Sequence, residues 1–421
     1  MRQSQAPGSA RPRLIVVGNG MAGVRTLEEL LARAPDLYDI TVFGAEPHPN
    51  YNRIMLSPVL MGEQGLPDIV LNDQDWYTRH GITLRLGCKV VDIDRGRRQV
   101  RADDGTLHRY DRLLLATGSR PVVLPVPGHD LDGVVTFRDI ADVQRMIDAS
   151  TRHRHAVVIG GGLLGLEAAS GLAARGMSVS VVHLGKGLLD RQLDGQAARL
   201  LQQTLESRGL RFLLGQQTEA LLGDADGQVR AVRFADGSSV PAELVVMAVG
   251  VRPDTALAQA CGLQVDRGVL VSDTLLTYDP AIYAVGECVR HRGTAYGLVA
   301  PLYEQARVAA DHLAQLGTGR YAGSVVSTKL KVTGIDLFSA GDFEGAAGTE
   351  AITLNDPLGA CYKKLVLRDG KLVGACLYGD TDDAPWYLRL IRDGSDVSPL
   401  RDVLMFGEPA APAPLAQVHH G

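Results

Sequence analysis

Two short stretches constrain this chain more than anything else in it. Residues 14–23 read LIVVGNGMAG, and residues 156–165 read AVVIGGGLLG. Each is an apolar run that opens into glycines and then into helix-forming sequence. In such a turn the first glycine permits the tight bend, the second lets backbone approach a phosphate, and the third lets helix pack on strand. Gly18, Gly20 and Gly23 hold these places in the first stretch, and Gly160, Gly162 and Gly165 in the second, 142 positions on. The helix behind each turn offers unpaired N–H groups and a partial positive charge to an anion. The alternative, a bare strand–helix turn without a ligand, leaves the acid downstream of the first cradle unexplained: Glu46 lies 23 residues past Gly23, at the end of the second strand, where a ribose hydroxyl would be bound.

The surrounding pattern is consistent with two βαβ units. Leu14–Val17 reads as a strand, Ala22–Arg33 as a helix and Ile40–Phe43 as a strand; Ala156–Ile159, Leu163–Arg175 and Val179–His183 repeat the order. Strand-like and helix-like segments alternate to about residue 320, which predicts α/β architecture with parallel sheets covered by helices. After Tyr321 the texture changes. CYKKLVLRDGKLVGACLYGD (361–380) predicts a hairpin about Asp369–Gly370, and APWYLRLIRDG (384–394) a helix, giving a small C-terminal α+β domain. Trp386 and Tyr387 are read as exposed apolar residues, and a dimer contact or a lid is an open role for that domain.

Charge and composition narrow the partners. The net charge is −5 with no Lys/Arg cluster, which argues against nucleic acid or an anionic membrane surface. No apolar run approaches the ~20 residues that span a bilayer, and MRQSQAPGSARP at the start has no apolar core of a secretory signal. The five cysteines show no CxxC spacing, so a disulfide framework, a zinc site or an iron–sulfur site is not expected, and a reducing cytoplasm suits them. His419 and His420 lack further ligands and are read as tail residues, so no metal site is expected.

Two cradles on one chain suggest two dinucleotides face to face, one resident and one visiting. FAD and NADH or NADPH are the natural pair, since the nicotinamide gives a hydride and flavin can hold it. At the second cradle the acid is missing: His183 stands 18 residues past Gly165, with Lys186 close behind, which leaves NADH and NADPH both open. In YDRLLLATGSRP (110–121) the small Ala116, Thr117 and Gly118 permit close backbone approach to a ligand. In the segment 279–310 a strand ends at Gly286–Glu287 and a helix begins near Pro301.

Together these features resemble two-dinucleotide-fold flavoprotein reductases with a glutathione-reductase-like fold. More narrowly, PNYNRIMLS, LDRQLD, YAVGECVRHRGTAYGLVAPLYEQA and TKLKVTGIDLFSAGD are similar to the N-terminal half of the large subunit of NAD(P)H-dependent assimilatory nitrite reductases, over about residues 13–407. The resemblance implies that Glu287 binds the flavin ribityl chain, that Arg53 lies near the FAD phosphates, and that the helix after Pro301, with Glu304 and Gln305, faces the pyrimidine edge of the flavin. Glu167 joins the glycines of the second cradle as a nicotinamide-cofactor residue.

Two departures stand out. Related ferredoxin and rubredoxin reductases carry a lysine where this chain has Ser57–Pro58, so a Lys–Glu pair beside the flavin is absent. No cysteine replaces it, Cys288 reads as a small buried residue, and no thiol intermediate is expected. The sequence given ends before the Cys-rich and sirohaem parts of the nitrite reductase subunit, so the expectation is an electron-input module that cannot reduce nitrite alone.

The expected domains are an unordered lead-in (1–12), a discontinuous FAD-binding domain (13–122 and 249–320), an NAD(P)H-binding domain (123–248), the α+β domain (322–408) and a flexible tail (409–421). The expected function is an FAD-dependent NAD(P)H oxidoreductase in which the cofactors, not side chains, carry the hydride. It would feed an iron–sulfur or sirohaem protein of a nitrite or nitrate reductase system, with a homodimer admissible. A ferredoxin or rubredoxin reductase, and a redox-sensing flavoprotein with a binding role, remain as alternatives.

Overall fold

A computed structural model describes residues 11–332, 334–356 and 358–408. Most of the expected lead-in and all of the expected tail, with His419 and His420, lie outside the described residues. The described residues divide into two compact units, one within 11–184 and 216–324, the other within 185–215 and 325–408.

The first unit holds two parallel sheets. In the first sheet, β1 (Arg13–Val17) leads through α1 (Met21–Arg33) to β2 (Asp39–Gly44), and a short helix α2 (Leu56–Met61) precedes β3 (Thr83–Leu86) and β4 (Arg112–Leu115). In the second, β5 (Val134–Thr136), α3 (Ile140–Arg152), β6 (His155–Ile159), α4 (Leu163–Ala174), β7 (Ser178–His183) and β8 (Leu244–Met247) follow. The chain then returns to the first sheet with β9 (Ile282–Ala284), followed by α5 (Val299–Leu313).

The first sheet runs β3-β2-β1-β4-β9, and the second includes the order β5-β8-β6-β7. Leu14 sits opposite Ile40 on one side and Arg112 on the other, and Ala156 opposite Val179 and Leu244. Every residue of β1 after Arg13 is buried. That explains why these strands read as continuous apolar runs rather than alternating ones: helices cover both faces. The expected βαβ repeat is thus present, with bounds within one residue of those read from the sequence. The helix expected near Pro301 starts at Val299, with the proline in its first turn, where its missing N–H leaves no hydrogen bond unmade.

The second unit is built on a five-stranded antiparallel sheet. Its strands β10 (Ser327–Val332), β11 (Ile335–Gly341), β12 (Glu350–Asp356), β13 (Cys361–Arg368) and β14 (Lys371–Tyr378) lie in the order β10-β11-β14-β13-β12. The Asp369–Gly370 turn has φ of 49° and 71°, the left-handed pair that a two-residue hairpin demands. Helix α6 (Ala384–Asp393) packs on this sheet. Here the expectation of exposed aromatics fails. Trp386 and Tyr387 are 6% and 0% exposed, in a core with Phe338, Leu365, Leu377 and Leu404. The Tyr387 hydroxyl donates to the Leu404 carbonyl at 2.9 Å, so the one polar atom of the ring is satisfied inside. The helix Gly195–Ser207 belongs to the same unit; Asp194 caps it and accepts a hydrogen bond from Tyr362 at 2.6 Å.

Candidate functional site

Both glycine cradles are built from the same contacts. Gly18 has φ +112°, and a Cβ there would lie 2.1 Å from the Ala116 carbonyl; Gly160 has φ +127°, and its Cβ would lie 2.2 Å from the Ala248 carbonyl. At Gly23 and Gly165 a Cβ would meet the carbonyls of Gly18 and Gly160 at 2.8 and 1.9 Å. Gly20 and Gly162 differ: nothing lies within 4 Å of a Cβ at either. Four glycines are therefore required by the fold, while the middle glycine of each motif faces open space.

The helix N-termini behind these glycines carry no side-chain cap. Asp139 caps α3 and Asp194 caps Gly195–Ser207, but α1 follows Gly20, α4 follows Gly162 and α5 follows Leu298, none of which supplies a side-chain cap. An uncapped terminus beside open glycine backbone is suited to a phosphate or another anionic group. The residues present therefore fit two dinucleotides, with a third uncapped helix beside the first.

Around the first cradle the structure brings Glu46 and Arg53 together. Arg53 donates to Glu46 at 2.6 Å and to the Arg138 carbonyl at 2.6 Å, and Tyr51 donates to the other Glu46 oxygen at 2.7 Å. The Arg53 guanidinium lies over the Tyr51 ring at 5.1 Å, and burial pushes the Tyr51 hydroxyl's pKa upward. Asn19, between the first two glycines, accepts from Tyr77 at 2.7 Å, while its carbonyl accepts from Asn50 at 3.0 Å. These bonds hold the loop before any ligand arrives.

The third group gathers Thr117, Gly118, Gly286, Glu287, Glu304 and Gln305. Thr117 donates to the Asp254 carbonyl at 2.6 Å, and Gly118 takes φ +71°. Buried Gln305 accepts from the Gly286 N–H at 2.9 Å, which ties the second turn of α5 to the end of β9. Glu287 accepts from Ser119 at 2.8 Å and from the Arg138 guanidinium. Glu304 accepts from the Ser324 hydroxyl. Cys288 is buried, its sulfur against the Val285 carbonyl at 3.2 Å, and burial raises its pKa, as suits a packing residue rather than a nucleophile.

At the second cradle, Glu167 on α4 accepts from Ser57 on α2 at 2.6 Å. His183 occupies the place of the absent acid, and its Nδ1 accepts from the Gly161 N–H at 3.2 Å. A Cβ on Gly161 would fall 2.8 Å from that ring, so histidine and glycine are matched.

Three features escaped the sequence reading. Arg138 links the Arg53 and Glu287 groups, yet TFRDIAD carries no signal of it. Tyr51 completes the Glu46 cluster. Ala248–Gly250 lies against the second cradle as Ala116–Gly118 lies against the first, and the likeness of VMAVGVRP to LLATGSRP would have revealed it. The two segments even continue into strands that pair, Ser119–Pro121 with Val251–Pro253.

The pyridine nucleotide-disulphide oxidoreductase family matches residues 12–312, and the rubredoxin NAD+ reductase C-terminal domain matches residues 327–395. A nitrite reductase [NAD(P)H] of Bacillus subtilis (strain 168) is 52% identical over 92% of this chain and 48% of its own. The assimilatory nitrate reductase electron transfer subunit of the same organism is 46% identical over 96% of this chain and 52% of its own. The chain thus spans about half the length of these curated relatives. Among solved structures, the covalent putidaredoxin reductase–putidaredoxin complex superposes with a TM-score of 0.84 at 27% identity, over 95% of this chain and 99% of that one.

Proposed function

This chain belongs to the pyridine nucleotide-disulphide oxidoreductase family, and from that premise we propose that it is the electron-input module of a nitrite or nitrate reductase system. It is an FAD- and NAD(P)H-dependent oxidoreductase. The observation that carries the finer reading is the pair of open, uncapped cradles in a chain about half identical to nitrite and nitrate reductase proteins.

In this reading residues 13–122 and 249–320 form the FAD domain and residues 123–248 the NAD(P)H domain. When bound, FAD and NAD(P)H supply the hydride and electron-carrying chemistry. The chain's own residues bind and orient. Gly18, Gly20 and Gly23 admit the FAD pyrophosphate, Glu46 takes the adenosine ribose, and Arg53 stands near the phosphates. Thr117, Gly118, Gly286 and Glu287 line the ribityl side, while Glu304 and Gln305 lie in the second turn of α5. Gly160, Gly162, Gly165 and Glu167 serve the nicotinamide nucleotide. The electrons leave for an iron–sulfur or sirohaem protein. Five free cysteines suit the reducing cytoplasm, and no helix among the described residues is long and apolar enough to cross a membrane.

An anaerobic titration with NADH, and separately with NADPH, tests this while flavin absorbance is followed. Rapid bleaching by one nucleotide, then reoxidation by a sirohaem nitrite reductase domain, is expected. The likeness to a putidaredoxin reductase supports a second reading, a ferredoxin or rubredoxin reductase. Fast reoxidation by a small ferredoxin and none by the sirohaem domain would favour it.

A further inference from the structure

Glu167 is a carboxyl group without a cationic partner among the described residues. It lies in the second turn of α4, just past the open Gly162 terminus, and is itself half-buried. Its partner is the hydroxyl of Ser57, which is buried on α2. Among the described residues, no Lys, Arg or His pairs with it, and the elements packed around α4 explain why. Helix α2 is Leu-Ser-Pro-Val-Leu-Met, β8 is Leu-Val-Val-Met, and α4 has no second charged residue. On β6 the single titratable group is His155 at the far end, beside Glu243. On β7 it is His183, turned to the Gly161 N–H. On α3, Asp142 is held by Thr136, the Arg138 N–H and Arg145, while Asp148 accepts from Gln144 and the Asp148 carbonyl from Arg152. Arg175, following α4, donates to the carbonyls of Leu60 and Val59.

Such surroundings favour the neutral form of a carboxyl over the charged one. Burial raises the Glu167 pKa, and the Ser57 hydrogen bond opposes this in part. Its position gives that neutrality a use. Glu167 lies five residues past Gly162, about 7.5 Å along the helix axis, within reach of a nucleotide whose pyrophosphate would sit at Gly162, and the bond from Ser57 marks where the helix of the second cradle meets the segment that follows the first. The reduced nicotinamide ring is neutral and the oxidised ring is a cation.

We propose that Glu167, held by Ser57, discriminates the two redox states of the nicotinamide: it keeps its proton beside the reduced ring and releases it beside the oxidised ring. The inference rests on the reading of the second cradle as a nicotinamide nucleotide site. The proton balance is simple. As the oxidised nucleotide binds, the O–H bond of Glu167 breaks, the proton passes to solvent, and the carboxylate remains as counter-ion to the ring. When that nucleotide leaves, the carboxylate takes a proton back. A lysine at position 57 would hold the carboxylate ionised in both states and erase the difference.

The test is titration calorimetry of the FAD-loaded protein in two buffers of different ionisation enthalpy, which counts protons exchanged on binding. The probes are NAD+ (or NADP+) and the unreactive tetrahydro analogue of the same reduced nucleotide. The expected result is release of about one proton for the oxidised nucleotide and none for the analogue. The affinity for the oxidised nucleotide should rise about tenfold per pH unit until the carboxyl is ionised. Glu167→Gln and Ser57→Lys should each abolish the release while FAD content is kept. Equal proton release by both nucleotides, or none by the oxidised one, overturns the inference. If neither nucleotide binds, the nicotinamide reading of the second cradle fails and the inference falls with it. Should both variants fail to fold, the comparison of nucleotides on the unaltered protein still decides.

Discussion

At the scale of single residues, glycines of one motif serve different ends. Gly18 is at φ +112° with a backbone carbonyl 2.1 Å from any Cβ, whereas Gly20 has open space. Gly18→Ala should therefore destabilise the first unit by at least about 2 kcal/mol, through strain and collision. Gly20→Ala should leave stability within about 0.5 kcal/mol and yet lose FAD. Gly160→Ala and Gly162→Ala should behave alike, with the nucleotide lost in place of FAD. Thermal unfolding together with FAD per chain and the affinity for the nicotinamide nucleotide separates the four outcomes. A Gly20→Ala protein that retains FAD at full affinity would refute the cradle. Cys288 supplies a second test. Its thiol is buried against backbone carbonyls, so Cys288→Ala should lower stability by about 1 kcal/mol and leave flavin reduction by the nucleotide at its original rate. Loss of reduction in a folded, FAD-loaded variant would mean a thiol takes part.

At the scale of elements, side-chain capping closes some helix ends and leaves those at the glycine cradles open. Asp139 accepts from the Asp142 N–H at 2.8 Å; Asp139→Ala should cost about 1 kcal/mol of stability without changing FAD content, read by denaturant unfolding. The loop before β9 carries a pH-dependent element. Asp273 is bound first by Arg292 and also by His291, which lowers its pKa to about 2. A depressed carboxylate contributes stability above the ordinary aspartate range near ~3.9 and loses it as pH falls toward about 2. Asp273→Asn should flatten the acid limb of the stability profile across that window, seen by urea unfolding at stepped pH. The strands, the glycine turns and the Asp369–Gly370 hairpin were legible in the sequence because each is encoded within a few residues. The burial of Trp386 and Tyr387 was not. A short amphipathic helix shows which residues share a face, but only the five-stranded sheet beneath α6 decides that the aromatic face is the covered one.

At the scale of the whole molecule, the sequence by itself determined the doubled plan: two parallel sheets, each opening at a glycine cradle, and an antiparallel domain after them. Those features are local, since a turn that forbids a Cβ or a strand buried on both faces writes its rule into neighbouring residues. It also held the resemblance that named the cofactors. The tertiary structure decided how distant residues meet. Arg53 reaches the Arg138 carbonyl across 85 positions, Ser57 reaches Glu167 across 110, and Ser119 and Arg138 converge on Glu287 across 168 and 149. No periodicity or spacing specifies such pairs. They follow from which helices and strand ends the packed core brings side by side, and a hydrogen bond between side chains exists only once that packing has set its geometry.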